Sequence, residues 1–181
     1  MIKNKQDLIY YLKEDQRALG NLEKKRPKLF GDEIWKFQIC LRKLEYYSNK
    51  KQDLYTKVFK TYYKYLHHKK GIMLGLSVPI NVFDSGLRIN HYGYLVVNKH
   101  AKIGKNCDIH QGVNIGQGNN YGDVPVIGDN VWIAPGVKIF GKIKIADGIK
   151  MGANSVVNKD YLEPNKTIVG APAKYIEKEN K

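Results

Sequence analysis

Residues 103–116 read IGKNCDIHQGVNIG, and residues 126–152 read VIGDNVWIAPGVKIFGKIKIADGIKMG. An aliphatic residue returns at every sixth position: Ile103, Ile109, Ile115, Ile127, Ile133, Ile139, Ile145 and Met151. Tyr121 holds the same place between Ile115 and Ile127, and Val97 and Val157 extend the series at both ends. The next residue is often small, as at Gly104, Gly116, Gly122, Gly128, Ala134, Ala146 and Gly152. A second small or aliphatic residue follows four positions on, at Cys107, Val113, Val131, Val137, Ile143, Ile149 and Ser155. A repeat of six predicts a parallel β-helix. Each unit makes a short strand and a turn, with the aliphatic residue pointing into the prism and the small one permitting the corner. Stacked units then pair their backbones and bury a continuous apolar column.

Upstream the character changes. Of the 17 glycines only Gly20 and Gly31 precede residue 71, and the first part reads as helix. Asp7 opens one candidate helix, with Leu8, Leu12 and Leu19 near helical spacing and an end around Gly20. Asp32 is placed to cap a second, with Ile34, Phe37, Ile39, Leu41 and Leu44 as its apolar face. Asp53 is placed to cap a third, whose Leu54, Val58, Phe59, Tyr62, Tyr65 and Leu66 are expected to be buried. The organisation expected is a helical part over 1–70, a β-helix over 71–170 and a tail over 171–181, an α+β fold.

The chain has 181 residues, 43% of them hydrophobic and 27% charged, which fits a packed core and argues against disorder. The net charge of +14 is uneven: residues 1–70 carry 18 basic against 8 acidic side chains. A basic surface attracts nucleic acid, anionic membranes or phosphorylated small molecules. Without a zinc-finger, RRM or helix-turn-helix pattern, nucleic acid is not the expected partner. No apolar run reaches the roughly 18 residues of a membrane span and no signal-peptide pattern opens the chain, so a cytoplasmic location is expected. Cys40 and Cys107 form no disulfide framework and read as core residues.

Two interruptions of the repeat draw attention. Residues 117–125, QGNNYGDVP, keep the count of six but have loop composition, so they are expected to bulge outward. Extended backwards, the register also places His91 where an inward aliphatic should stand. The string NHYGYLVV over 90–97, the helical N-terminal part and the downstream strings VWIAPGVKIFGKIKI, GANSVV and VGAPAKYI resemble the serine acetyltransferase branch of the hexapeptide acyltransferases. The resemblance is detailed over about residues 70–176 and implies a left-handed β-helix, acetyl-CoA as cosubstrate, and a homotrimer with active sites between subunits.

Three features depart from that branch. Asn90 precedes the histidine in place of an aspartate, Asp123-Val124 stands in place of an Arg-His pair, and Leu76 stands in place of an acidic residue fifteen positions before the histidine. A site for serine's carboxylate should keep its cation, since burying an unpaired carboxylate is costly. The motif GLRINHYGYLVVN therefore looks closer to enzymes that acetylate sugars in capsular or exopolysaccharide synthesis. The expectation is an acetyl-CoA-dependent O-acetyltransferase acting on a sugar hydroxyl, with possible contact to membrane-linked glycan precursors. The alternative is serine O-acetylation in cysteine biosynthesis.

Acetyl transfer to an alcohol needs a base working near neutral pH, and His91 supplies one. Asp84 is the nearest acidic residue in sequence that would orient it, although a carboxylate or carbonyl from elsewhere serves equally. Asn90, Tyr92, His110 and Asp123 are candidate acceptor contacts. By motif, Ala134, Gly152 and Ala153 match the family's small positions for the pantetheine arm, with Lys150, Lys159 and Lys174 facing the CoA phosphates. His67, His68 and His100 read as surface residues. A zinc enzyme on the same repeat would need three converging histidines, and His91 and His110 lack a third, so no metal is expected. A scaffold with no catalytic role is the remaining class.

Overall fold

The computed structural model describes residues 1–176, so the expected tail is described only as far as Ile176. Three helices, α1 (Lys5–Ala18), α2 (Glu33–Asn49) and α3 (Leu54–Leu74), precede fourteen short strands, an α+β architecture. Asn4 opens α1 by accepting from the Asp7 N–H while the Asp7 carboxylate accepts from the Asn4 N–H, a capping box. Asp53 caps α3 through the Thr56 N–H. Asp32 sits at the start of α2 without capping it. Its backbone is left-handed (φ 52°), and its carboxylate accepts from Lys24 Nζ and the Lys28 N–H instead.

The strands form the three faces of a prism. The first face stacks β1 (Leu76–Ser77), β3 (Leu95–Val97), β6 (Asn114–Gly116), β9 (Lys138–Phe140) and β12 (Val156–Val157). The second stacks β4 (Lys102–Ile103), β7 (Val126–Ile127) and β10 (Lys144–Ile145). The third stacks β2 (Arg88–Ile89), β5 (Asp108–Ile109), β8 (Trp132–Ile133), β11 (Lys150–Met151) and β13 (Thr167–Gly170), and β14 (Ala173–Tyr175) closes it. All pairings are parallel except β13 with β14, which is antiparallel. The result is the left-handed β-helix. Residues 171–175 thus finish a sheet where a tail was expected, and α3 runs four residues past the expected boundary at 70.

Every inward repeat residue except Tyr121 is buried, and Cys107, Val113, Val131, Val137, Ile143, Ile149 and Ser155 fill the corners behind them. Regular coils return after 18 residues, as in Val97 on Ile115 and Ile133 on Met151. Two coils are longer. Ile103 pairs with Ile127, 24 residues on, because the 117–125 loop is one whole hexapeptide pushed outward, with Tyr121 80% exposed. Ile89 pairs with Ile109, 20 residues on, because eight residues separate the inward Ile89 and Val97 where six would suffice. The two extra residues displace the register, so His91 is exposed on a bulge and not inward.

The buried side of α3 also differs from the expected one. Leu54, Val58, Tyr62 and Tyr65 form an exposed stripe. The opposite side meets α2: Phe59 and Tyr63 stack on Tyr47 with ring centroids 5.3 and 5.6 Å apart, and His67 stacks on Phe37 at 5.0 Å. Apolar spacing marks two stripes on this aromatic-rich helix, and α2 covers only one.

The helices hold the first coil through buried polar groups. Arg42, fully buried, donates from Nε and Nη2 to Asp15 (2.8 and 3.2 Å) and from Nη1 to Glu45 (3.0 Å). It also donates to the carbonyls of Phe83 (2.9 Å) and Asp84 (2.7 Å), while Asp15 accepts from the Gly86 and Leu87 N–H groups at 2.9 Å each. Burial disfavours the guanidinium charge, but the Asp15 and Glu45 carboxylates outweigh it and raise the Arg42 pKa. Gln38 donates to the Leu87 carbonyl at 2.7 Å from α2. Removing Arg42 would leave two carboxylates buried without their cation. Arg42→Met is expected to cost about 3–5 kcal/mol of stability, measured as a lowered urea midpoint; an unchanged midpoint would show that the helices do not depend on this node.

Candidate functional site

The longer 20-residue coil builds a polar ridge along one edge of the third face. Residues that alternate along a strand point to opposite sides, so Arg88 and Asn90 flank the inward Ile89, and Asp108 and His110 flank the inward Ile109. Asp108 joins them. Its Oδ1 accepts a hydrogen bond from Asn90 Nδ2, and its Oδ2 lies 3.2 Å from the Arg88 guanidinium.

His110 is half-buried, its ring Nδ1 3.1 Å from the Ile133 carbonyl and 3.8 Å from Asp108 Oδ1. A carbonyl only accepts, so Nδ1 carries the proton and Nε2 of the neutral ring is left as an acceptor. Trp132 closes the ring's side edge-on at 5.3 Å. The His91 ring lies 6.5 Å from that of His110, exposed and without a hydrogen-bond partner among the described residues.

Below His110 the ridge continues through residues of matching register. The N–H groups of Asn90, His110, Ala134 and Gly152 donate to the carbonyls of Ile109, Ile133, Met151 and Ile168. These four therefore stand on successive rungs, about 4.8 Å apart. Ala134 is buried and Gly152 half-buried. A methyl group on Gly152 would come within 2.6 Å of Val169, so local packing by itself requires a glycine there. Lys150 on β11 and Lys174 on β14 share this face, and Ala153 is exposed beside it. Lys159 lies apart, its ammonium 5.7 Å from the Tyr161 ring.

Several candidates fall elsewhere. Asp84 does not meet His91: it accepts from the Tyr11 hydroxyl at 2.6 Å and from the Ser85 N–H at 2.7 Å, facing the helices. Burial opposes its charge, but those two hydrogen bonds outweigh it and hold its carboxyl below the usual range. Asp123 belongs to the loop, where its carboxylate accepts from Asn120 at 2.9 Å. Tyr92 is exposed on the bulge itself. Burial pushes the Cys107 thiol far up, in keeping with a core residue. Among the described residues no three His, Cys, Asp or Glu side chains gather as a metal site requires, and no helix is long and apolar enough to cross a membrane. Asp108, Arg88 and Trp132 were not singled out in the sequence. The outward alternation around Ile109 carries the signal for Asp108, but the bulge hides its pairing with Asn90.

No protein-family model and no curated protein sequence matches the chain. Solved structures do. The chain is similar to a soybean serine acetyltransferase apoenzyme at 27% identity and a TM-score of 0.73, over 95% of this chain and 70% of that one. It is similar to the Neisseria gonorrhoeae serine acetyltransferase at 27% identity and a TM-score of 0.69, over 98% and 67%. It is also similar to the serine acetyltransferase of Brucella abortus in complex with coenzyme A, at 26% identity and a TM-score of 0.72, over 95% and 68%. These likenesses overturn the expected placement among capsular or exopolysaccharide O-acetyltransferases, and with it polysaccharide biosynthesis. The ridge thus stands on a left-handed β-helix that this chain shares with solved serine acetyltransferases, one of them in complex with coenzyme A.

Proposed function

We propose that the protein is a serine O-acetyltransferase that moves the acetyl group of acetyl-CoA onto the serine hydroxyl. The observation that carries this reading is the likeness, over 95% of the chain, to serine acetyltransferases, one of them complexed with serine. In this reading His91 takes the hydroxyl proton as the serine oxygen attacks the thioester carbonyl. The oxyanion of the tetrahedral intermediate is met by backbone N–H groups of the site. Collapse expels the CoA thiolate, and the imidazolium returns its proton to the sulfur. His110, fixed by the Ile133 carbonyl, presents Nε2 as an acceptor toward the acceptor substrate.

Serine's charged ends need partners. With Asp123 in the loop, Arg88 supplies a cation for the carboxylate and Asp108 an anion for the ammonium, both on the face that carries Asn90 and His110. Ala134 and Gly152 line the continuing ridge for the pantetheine arm, with Lys150 and Lys174 placed for the CoA phosphates. His91 is open to solvent, and a trimer with the site between subunits would supply the missing wall, closed cyclic symmetry avoiding open-ended assembly.

Three measurements test the proposal. His91→Ala should lower turnover about 10²–10⁴-fold with the fold intact; near-normal turnover by the folded variant would remove His91 from the role of base. Serine should be used with a kcat/KM of about 10⁴ M⁻¹s⁻¹ or more in a thiol-release assay, and its failure beside other hydroxyl acceptors would refute the serine reading. Arg88→Met should raise the KM for serine roughly tenfold or more, the worth of one charge-assisted contact, with little change for acetyl-CoA. An unchanged KM for serine would leave its carboxylate to another cation.

A further inference from the structure

Between α1 and α2 the chain runs through residues 20–32, GNLEKKRPKLFGD, as a loop held by polar anchors. Gln16 Nε2 donates to the carbonyls of Asn21 and Lys24 at 2.9 and 2.8 Å. The Asp32 carboxylate accepts from Lys24 Nζ at 2.8 Å and from the Lys28 N–H at 3.1 Å, and Lys36 Nζ donates to the Leu29 carbonyl at 2.7 Å. These contacts fix the backbone yet leave its apolar tip outside. Leu29 is 83% and Phe30 87% exposed, the two most exposed large apolar side chains among the described residues. Leu22, also exposed, opens the same loop. Lys25, Arg26 and Lys28 lead into the tip and are exposed, and among the described residues none of them forms an ion pair. Glu23 is the one acid between Gly20 and Gly31.

Holding two adjacent bulky apolar side chains in water is unfavourable, and clustered cations without partners repel one another. An anionic lipid surface relieves both, because its acyl boundary takes the apolar groups and its headgroups take the cations. We propose that this loop docks the protein onto an anionic membrane, with Leu29 and Phe30 inserted beneath the headgroups and Lys25, Arg26 and Lys28 among them. A projecting tip suits a bilayer, which yields around it, whereas a protein partner needs a matching pocket. Nucleic acid would meet the cations but leave the apolar pair in water. The charge of residues 1–70, 18 basic against 8 acidic side chains, adds long-range attraction to the same surface. No residue of the His91 ridge takes part, so the proposal does not rest on the acetyltransferase reading.

The test is co-sedimentation of the intact protein with vesicles of phosphatidylglycerol and phosphatidylcholine in equal parts, and with vesicles of phosphatidylcholine alone. Wild type is expected to bind the anionic vesicles at low salt, and to bind less with added salt or on the neutral ones. The double variant Leu29→Ser, Phe30→Ser should lose roughly tenfold or more in affinity for the anionic vesicles. The triple variant Lys25→Gln, Arg26→Gln, Lys28→Gln should lose about a hundredfold, the worth of three cations at such a surface. All of these side chains are exposed, and thermal melts matching wild type would show that the variants fold. Insertion has its own readout: the fluorescence added by Phe30→Trp should be quenched by lipids brominated along the acyl chain. Equal binding by the folded Leu29 and Phe30 variant would reduce the contact to adsorption of a basic surface. Absence of wild-type binding to anionic vesicles would assign the tip to a protein partner. Either result overturns the proposal.

Discussion

The parallel stacking of coils is the constraint on which everything else in this protein rests. The backbone N–H and carbonyl groups of one coil pair with those of the coils on either side, so an inward residue must lie over an inward residue for the apolar column to close. Any insertion must therefore leave the prism whole and go outward, as a loop that returns the chain to the same register. The chain uses this twice: two extra residues lift His91 onto a bulge, and six lift the 117–125 loop over the second face. The polar ridge of the β-helix lies where the period of six is broken, because only there does the backbone leave the stack.

The regular parts of the fold were legible in the sequence for the same reason. A buried column tolerates little besides aliphatic residues, so Ile103 to Val157 record the stack directly. The bulge was less legible. A register read backwards from Val97 lands on His91 by arithmetic, whereas Ile89 is the inward residue, and nothing between them announces two extra positions. Asp84 was a candidate by nearness in sequence, but proximity along a strand turn says little about which face a side chain serves. Its partner, Tyr11, comes from 73 residues away. The stripe of α3 misled differently, since helical periodicity identifies apolar faces without saying which of two a neighbour covers.

The acceptor shows the limit of comparing single positions. Asn90 and Asp123 depart from the serine enzymes one position at a time, and those departures pointed to a sugar. The fold as a whole matches serine acetyltransferases over nearly the full chain. Charge can be supplied to one place from different strands: Arg88 and Asp108 bring both signs to the ridge from residues twenty apart in sequence. Such a relocation, as proposed for the contacts to serine, would be invisible to a motif and legible only in a sheet register.

The buried cluster of Arg42, Asp15 and Gln38 has a further consequence. The first coil has no coil above it, so its backbone donors and acceptors would form a bare edge of the kind that recruits other strands. These side chains occupy that edge, taking the carbonyls of Phe83, Asp84 and Leu87 and the N–H groups of Gly86 and Leu87. At the other end β14 turns back antiparallel on β13 and ends the third face. The helical part thus acts as a lid on a solenoid that would otherwise be open to end-to-end growth, which ties the solubility of the β-helix to three polar residues of α1 and α2.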